Sequence, residues 1–235
     1  MVKKTKEAWK TYQGVFDGFI NRDLFELSSK GHFIELKSPI SIGKESHIFS
    51  ASTKSGERVI VKIHRLETCD FNKMYDYIRS DPRYLWLKKH KRKIIFAWTQ
   101  REFRNLMKAR EAGVSIPKPI VIKDNILIME FIGDDDVAPK LKDYPPENPK
   151  KFLEMVISNM KKLYQAGLVH GDLSSFNILN YNEKPVFIDF SQAMPVSTQN
   201  AKELLDKDVH NIATFFTKHG AKITSEELKK QVTGK

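Results

Sequence analysis

Three polar residues stand close together in the stretch LVHGDLSSFNILN, residues 168–180: His170, Asp172 and Asn177, set between apolar runs. A fourth, Asp189, follows in VFIDFSQA. Asn177 precedes one strand-like run and Asp189 ends the next, so a tight hairpin would bring a carboxamide and a carboxylate to one point. Such a pair suits a hard cation like Mg2+, which takes few protein oxygens and completes its shell with water and phosphate. Asp172 lies five residues before Asn177. There it can accept or orient the proton of an attacking hydroxyl or water without ligating the metal. Asp172 or Asn177 alone would read as a loop-former; the combination with Asp189 points to chemistry.

Upstream, Lys62 sits inside the apolar run RVIVKIH. A lysine there is costly if buried and unpaired, unless it snorkels from an edge strand. Glu102 falls four residues after Trp98 and four before Leu106, interrupting an apolar helical stripe. A buried acid needs a basic partner, and Lys62 could serve, as could Arg101 or Arg104. The segment ISIGKESHIF supplies a Gly-containing turn between strands, where backbone can approach phosphate closely. LIMEFIG is an apolar segment whose Glu130 and Ile132 backbone groups could meet an adenine edge, or simply a core strand. Gly turn, strand lysine, helix glutamate, hinge, loop Asp, Asn and metal Asp form, in that order, the parts of a protein-kinase-like phosphotransferase.

These residues need elements to hold them. Apolar spacing in residues 16–27, with Gly31 closing, predicts an N-terminal helix within 1–30. Three strands follow, in FIELKSPISI, HIFSAST and RVIVKIH, as an antiparallel meander. Residues 66–93 are poorly patterned and end in a basic cluster. A helix from about Ile94 to Ala112 precedes Gly113. Two strands follow, turning at residues 123–125, and then a polar, Pro-rich connection over 133–148. Asn148 and Pro149 open a helix that Gly167 ends. Strand, turn and strand follow the loop, and residues from Ala201 onward read as helix.

The chain has 235 residues, 40 basic and 29 acidic, for a formal charge of +11. The length suits one domain of two lobes. The charge favours a polyanionic neighbour without choosing among RNA, DNA, nucleotide and membrane surface. Cys69 is the single cysteine, so no internal disulfide can form, which fits a reducing cytosol. No signal peptide is evident, and no stretch reaches the ~18 apolar residues of a membrane span.

With these parts in order, the chain resembles the RIO kinases, most closely their type-one branch in its archaeal-like form. ISIGKESHIFSA, VIVKIHR, REFRNLMKAREAGVSIPKPI, LIMEFIG, LVHGDLSSFNIL, VFIDFSQA and LLDKDVHNIATFFTKHG carry the resemblance, over roughly residues 15–222. HGD stands where much of the branch is similar to HAD, and DFSQ where ordinary protein kinases have DFG. The resemblance implies an α+β, two-lobed protein-kinase-like fold. Its N-lobe is an antiparallel sheet and its C-lobe is mainly helical. Only 46 residues follow Asp189, which predicts a truncated C-lobe without the activation-loop and peptide-docking subdomains. A single domain over 1–235 is expected, with a helical segment at 1–30, an N-lobe at 31–132, a flexible insertion at about 66–93, a linker at 133–148 and a C-lobe at 149–235.

What the resemblance implies for activity is an ATP- and Mg2+-dependent serine/threonine kinase or ATPase, with Mn2+ as a substitute metal, acting in small-ribosomal-subunit maturation. Carried onto this chain, Asp172 is the catalytic carboxylate, Asn177 and Asp189 bind metal, and Asp189 also accepts a transient phosphoryl group. Lys62 and Glu102 form an ion pair. Ser41, Gly43, Lys44, Glu45 and Ser46 lie at the phosphates, with Met129, Glu130 and Ile132 at the adenine. Ser80 is the autophosphorylation candidate, as the serine of the insertion. Lys88, Lys89, Lys91, Arg92 and Lys93 are candidates for rRNA phosphates, or else a solvated helix face. The expected partners are ATP and a pre-small-subunit particle, with no membrane and no DNA, in the cytoplasm. The rivals are a Bud32-like ATPase of tRNA modification, a small-molecule phosphotransferase and a non-catalytic RNA-binding pseudokinase. The first usually has a shorter Lys-to-Glu gap than the 40 positions here, and the second a larger C-lobe; the intact Lys62, Asp172, Asn177 and Asp189 argue against the third.

Overall fold

The computed structural model describes residues 16–66 and 71–234, the side chain of Lys73 excepted. Cys69 and residues 1–15 lie outside the described residues. The chain forms two compact units. Among the described residues, one takes those up to Tyr75 together with Lys88–Gln100 and Pro119–Phe131; the other takes Asp76–Leu87, Arg101–Lys118 and those from Ile132 on.

The first unit is built on a five-stranded antiparallel sheet: β1 (Glu35–Ile42), β2 (Ser46–Ser52), β3 (Arg58–His64), β4 (Pro119–Lys123) and β5 (Ile126–Glu130). The strand order is β1-β2-β3-β5-β4. Pro39 has no N–H to give to a ladder, and it sits in the edge strand β1 at a register shift, where the loss is tolerated. Helix α1 (Gly18–Ser29) is capped by Asp17, whose carboxylate accepts from the Ile20 N–H at 2.8 Å. It places Ile20, Leu24 and Leu27 on one face against Val59, Val61 and Ile63 of β3 and Ile126 and Ile128 of β5. Leu24 is fully buried, so Leu24→Ala should cost about 2–5 kcal/mol.

The second unit is mainly helical. Helix α4 (Pro149–Gln165) starts as its Asn148–Pro149 pair predicts, with Asn148 accepting from the Lys151 N–H at 3.1 Å. It buries Phe152, Val156, Met160 and Leu163. Helix α5 (Ala201–Lys218) buries Leu205, Val209, Ile212 and Phe216. A further helix, α6 (Ser225–Thr233), opens on a capping box between Thr224 and Glu227. Short strands β6 (Leu168–Val169) and β9 (Met194–Pro195) pair on either side of the hairpin formed by β7 (Ile178–Tyr181) and β8 (Lys184–Phe187). The hairpin turns through Asn182 and Glu183, both at positive φ, the backbone of a two-residue primed turn.

The inserted segment expected to be flexible, about 66–93, contains regular elements where it is described. Helix α2 (Phe71–Arg79) is followed by a 3-10 turn at Pro82–Tyr84, and α3 (Lys91–Glu111) begins inside the basic cluster. The reason is apolar: Met74, Ile78, Tyr84 and Leu87 are all buried.

Candidate active site

In the first unit, β3 lies between β2 and β5, so Lys62 does not snorkel from an edge. Val59, Val61 and Ile63 face the α1 core. Ile60, Lys62 and His64 therefore take the opposite face, where alternation and register add Ile48 of β2 and Leu127 and Met129 of β5. Lys62 is 4% exposed. The β1–β2 turn closes with the Gly43 N–H donating to the Ser46 carbonyl at 2.9 Å. A Cβ on Gly43 would stand 3.2 Å from that oxygen, so glycine suits this turn sterically. Ser41, Lys44 and Glu45 are exposed around it and Ser46 half-buried. The Arg65 N–H donates to the Glu45 carbonyl at 2.9 Å. Met129 is buried at the end of β5 and Glu130 exposed beside it.

In the second unit, Glu102 is buried on α3 between the buried Arg101 and Asn105. Arg101 is occupied elsewhere. Its Nε lies 3.3 Å from the Asp81 carboxylate, and its Nη2 donates to the Gln192 and Ala193 carbonyls at 3.3 and 3.0 Å. Burial pulls the Arg101 guanidinium down to about 10, which still leaves it charged at neutral pH. The Ile132 carbonyl accepts from the Ala138 N–H at 2.8 Å.

The loop and hairpin bring Asp172, Asn177 and Asp189 into one neighbourhood. Asn177 Nδ2 donates to the Asp172 carbonyl at 2.8 Å and to Asp172 Oδ2 at 3.2 Å. That commits both amide hydrogens and turns Oδ1 into the atom available to a cation. The Ile188 N–H donates to the Asn177 carbonyl at 3.0 Å, which ties the end of β8, and so Asp189, beside Asn177. Asp189 itself has φ 62 and ψ 71, a left-handed conformation that a non-glycine residue holds only when its surroundings dictate it. Ser191 Oγ donates to Asp189 Oδ1 at 2.7 Å. The donor set, one carboxamide and one carboxylate, fits a hard divalent cation. Among the described residues no three His, Cys, Asp or Glu gather around a point, so such a cation would draw most of its shell from nucleotide and water.

Two residues that hold this loop, Asp208 and Lys207, were not singled out from the sequence; His170 was. Asp208 of α5, 1% exposed, accepts from the Gly171 N–H at 2.8 Å and the Leu173 N–H at 2.6 Å, and so brackets Asp172. Burial pushes its carboxyl up to about 7. Lys207 Nζ donates to Asp172 Oδ1 at 3.0 Å. His170 is buried and its Nε2 faces the Ile188 carbonyl at 3.1 Å; burial pushes its imidazole down, which favours a neutral structural ring. Asp208 did leave a signal: an acid directly before Val209, within the apolar stripe of α5, reads as Glu102 does on α3.

Ser80 donates to the Tyr77 carbonyl at 2.8 Å and lies 4.0 Å from Met194 Sδ. Lys88, Lys89, Lys91, Arg92 and Lys93 are all exposed. The last three occupy the first turn of α3, where the helix dipole disfavours cations. Arg92 covers the Phe19 ring at 4.8 Å and Lys89 the Tyr75 ring at 5.4 Å.

A sheet with a buried lysine and a helical unit with an Asp–Asn loop and a hairpin-borne Asp define a two-lobed protein-kinase-like fold. The comparisons narrow it. The family model "RIO domain" matches residues 47–229. The Rio1 serine/threonine-protein kinase of Haloferax volcanii is 40% identical over 98% of this chain and 80% of its own length. That of Methanocaldococcus jannaschii is 40% identical over 99% of this chain and 80% of its own. A Rio2 kinase from Chaetomium thermophilum, solved as an ADP/Mg2+-phosphoaspartate complex, superposes with a TM-score of 0.71 at 25% identity, over 93% of this chain and 67% of that one. The chain belongs to the RIO family of serine/threonine kinases, in its Rio1 branch.

Proposed function

We propose that this protein binds ATP with Mg2+, or Mn2+ in its place, and transfers the γ-phosphoryl group to a serine or to water in the service of small-ribosomal-subunit maturation in the cytoplasm. The observation that carries the site assignment is the Asn177 amide, which donates to Asp172 while the Asn177 carbonyl accepts from the Ile188 N–H directly before Asp189. In this reading Asn177 and Asp189 hold the cation, which when bound neutralises charge on the phosphate oxygens. Lys62, paired with Glu102, and the turn Ser41–Ser46 contact phosphate, while Met129, Glu130 and Ile132 receive the adenine. Asp172 orients the attacking hydroxyl: a P–O bond to the acceptor forms as the bond to ADP breaks, and the acceptor proton passes toward Asp172. Lys207 sits at 3.0 Å on the Oδ1 side of Asp172, and Asp208 fixes the loop on both sides of it.

The Chaetomium Rio2 kinase was solved as a complex with a phosphoaspartate. That complex supports Asp189 as a transient acceptor here: its carboxylate oxygen would take the phosphoryl group and water would then release phosphate. The net charge of +11 and the exposed cations from Lys88 to Lys93 support contact with rRNA phosphates. Ser80 is proposed as the autophosphorylated serine because it is exposed on the segment before α3.

A single-turnover assay with γ-labelled ATP and Mg2+, with and without purified small ribosomal subunits, tests this reading. Free phosphate and acid-labile and acid-stable protein label are followed. The expected result is turnover stimulated by subunits, with acid-labile label lost in Asp189→Ala. ATP binding with neither turnover nor label would refute it.

A further inference from the structure

The turn after Asp189 is gripped by two α3 side chains. Asn105 Nδ2 donates to the Phe190 carbonyl at 3.1 Å and the Ala193 carbonyl at 2.8 Å. Arg101 Nη2 takes the Gln192 and Ala193 carbonyls. Neither side chain is placed by α3 alone. Arg83 Nη1 donates to Asn105 Oδ1 at 3.0 Å, which fixes the amide so that its NH2 must point at the turn. Arg83 also grips Asp81 through Nε at 2.9 Å and Nη2 at 2.6 Å. Asp81, with a fully buried side chain, balances the equally buried Arg101 guanidinium.

We propose that Asp81, Arg83, Arg101 and Asn105 form a positioning clamp through which the segment before α3 sets the geometry of Asp189. The chain of contacts is continuous. Asp81 and Arg83 orient Arg101 and Asn105; these hold the carbonyls of residues 190, 192 and 193; and Ser191, inside that turn, donates to Asp189 Oδ1 at 2.7 Å. The left-handed backbone of Asp189 is a conformation that needs such over-determination. The clamp reaches the other half of the loop as well. The Gln192 carbonyl stands 2.8 Å from where a Gly171 Cβ would be, so the carbonyl that Arg101 holds also abuts the residue before Asp172. A segment that looked like a mobile insertion thus takes part in presenting Asp189, and a ligand or modification that displaces residues 80–84 would weaken the site without touching it.

The proposal rests on the metal role of Asp189 given above, so its test separates the two. Asp81→Asn would leave a buried arginine uncompensated and could unfold the chain. Arg83→Gln is therefore the primary variant, because the Arg83 side chain is 29% exposed and Arg101 keeps its carboxylate. Two quantities are measured on the whole chain: amide hydrogen exchange of residues 190–194 without ligands, and binding of Mn2+ in the presence and absence of ADP. The expected result is exchange about tenfold faster in residues 190–194 and unchanged in α4, the scale of one lost charge-assisted hydrogen bond. Mn2+ should bind about tenfold more weakly in the presence of ADP, with metal-free ADP affinity unchanged. Unaltered exchange would overturn the clamp, and faster exchange with unaltered Mn2+ affinity would reduce it to a structural tie. If the unsubstituted protein bound no Mn2+ with ADP, the nucleotide reading would fail, while the exchange result would still decide the clamp.

Discussion

Replacing Asp208 with Asn perturbs the site without touching any reacting atom. Both Asp208 oxygens accept backbone N–H groups, from Gly171 at 2.8 Å and Leu173 at 2.6 Å. An asparagine keeps one acceptor and turns an NH2 toward the second N–H, leaving a buried donor unmet at a cost of about 1–3 kcal/mol. Set against this is the cost of the buried charge. Burial raises the folded carboxyl from its ordinary 3.8 to about 7, so the folded state holds a proton that the unfolded chain has already released. A raised acid favours folding in full only below the unfolded value and loses that advantage as pH climbs to the folded one. From about pH 5.5 to about pH 8.5 the wild type should lose about 2 kcal/mol through this single group, and Asp208→Asn none. The gap between the two proteins should therefore be widest in acid and should narrow by about 2 kcal/mol toward alkaline pH, since groups common to both cancel. Urea denaturation at those two pH values measures it, with single-turnover rates as a second readout for the loosened loop. Parallel stability lines would refute the buried-charge argument. A variant equal to wild type in both stability and turnover would refute the bracket around Asp172.

Gly171 has φ +80, and a Cβ there would meet the Gln192 carbonyl at 2.8 Å; Gly171→Ala should cost about 1–3 kcal/mol in a urea titration. The Lys207–Asp172 pair is largely exposed, so Lys207→Ala should shift stability by less than about 1 kcal/mol, yet lower the single-turnover rate. Asp172→Ala should keep nucleotide binding and lose turnover by roughly 10²–10⁴-fold, whereas Asp189→Ala should lose metal-dependent binding; equal loss of binding in both would undo the division of roles. Reversing the charge of Lys88, Lys91 and Lys93 should weaken binding to small-subunit RNA and flatten its salt dependence by about one unit for each phosphate no longer neutralised.

The Asp172, Asn177 and Asp189 neighbourhood was legible because its geometry is local. A hairpin whose two ends are fixed by short apolar runs must bring residues 177 and 189 together, whatever the rest of the chain does. The sheet order could be read only in part. The meander β1–β3 follows chain order, but β5 lies next to β3 and β4 takes the edge, so Lys62 sits on a central strand that no local pattern marks as central. The tail from Ala201 was read as helix without a break, although Thr224 and Glu227 stand three apart before Leu228 and Val232, a start signal that sets α6 apart from α5.

Residues 66–93 show where sequence reading stops for a physical reason. Phe71, Met74, Tyr75 and Ile78 stand at helical spacing, so α2 could have been found. The dense cations after it and the absence of an apolar run drew attention instead to exposure. What no spacing rule reveals is the partner of Arg101. The sequence offered Glu102, the adjacent acid, as readily as Asp81, twenty residues away. Burial alone does not select, since Asp81 and Glu102 are both buried. A guanidinium taken fully out of water needs a carboxylate beside it, and Asp81, on the tight turn before Pro82, places an oxygen 3.3 Å from Arg101 Nε. That proximity is set by the tertiary fold. A segment whose sequence looks dispensable thus carries the buried counter-charge of the side chain that holds the Gln192 and Ala193 carbonyls of the turn after Asp189.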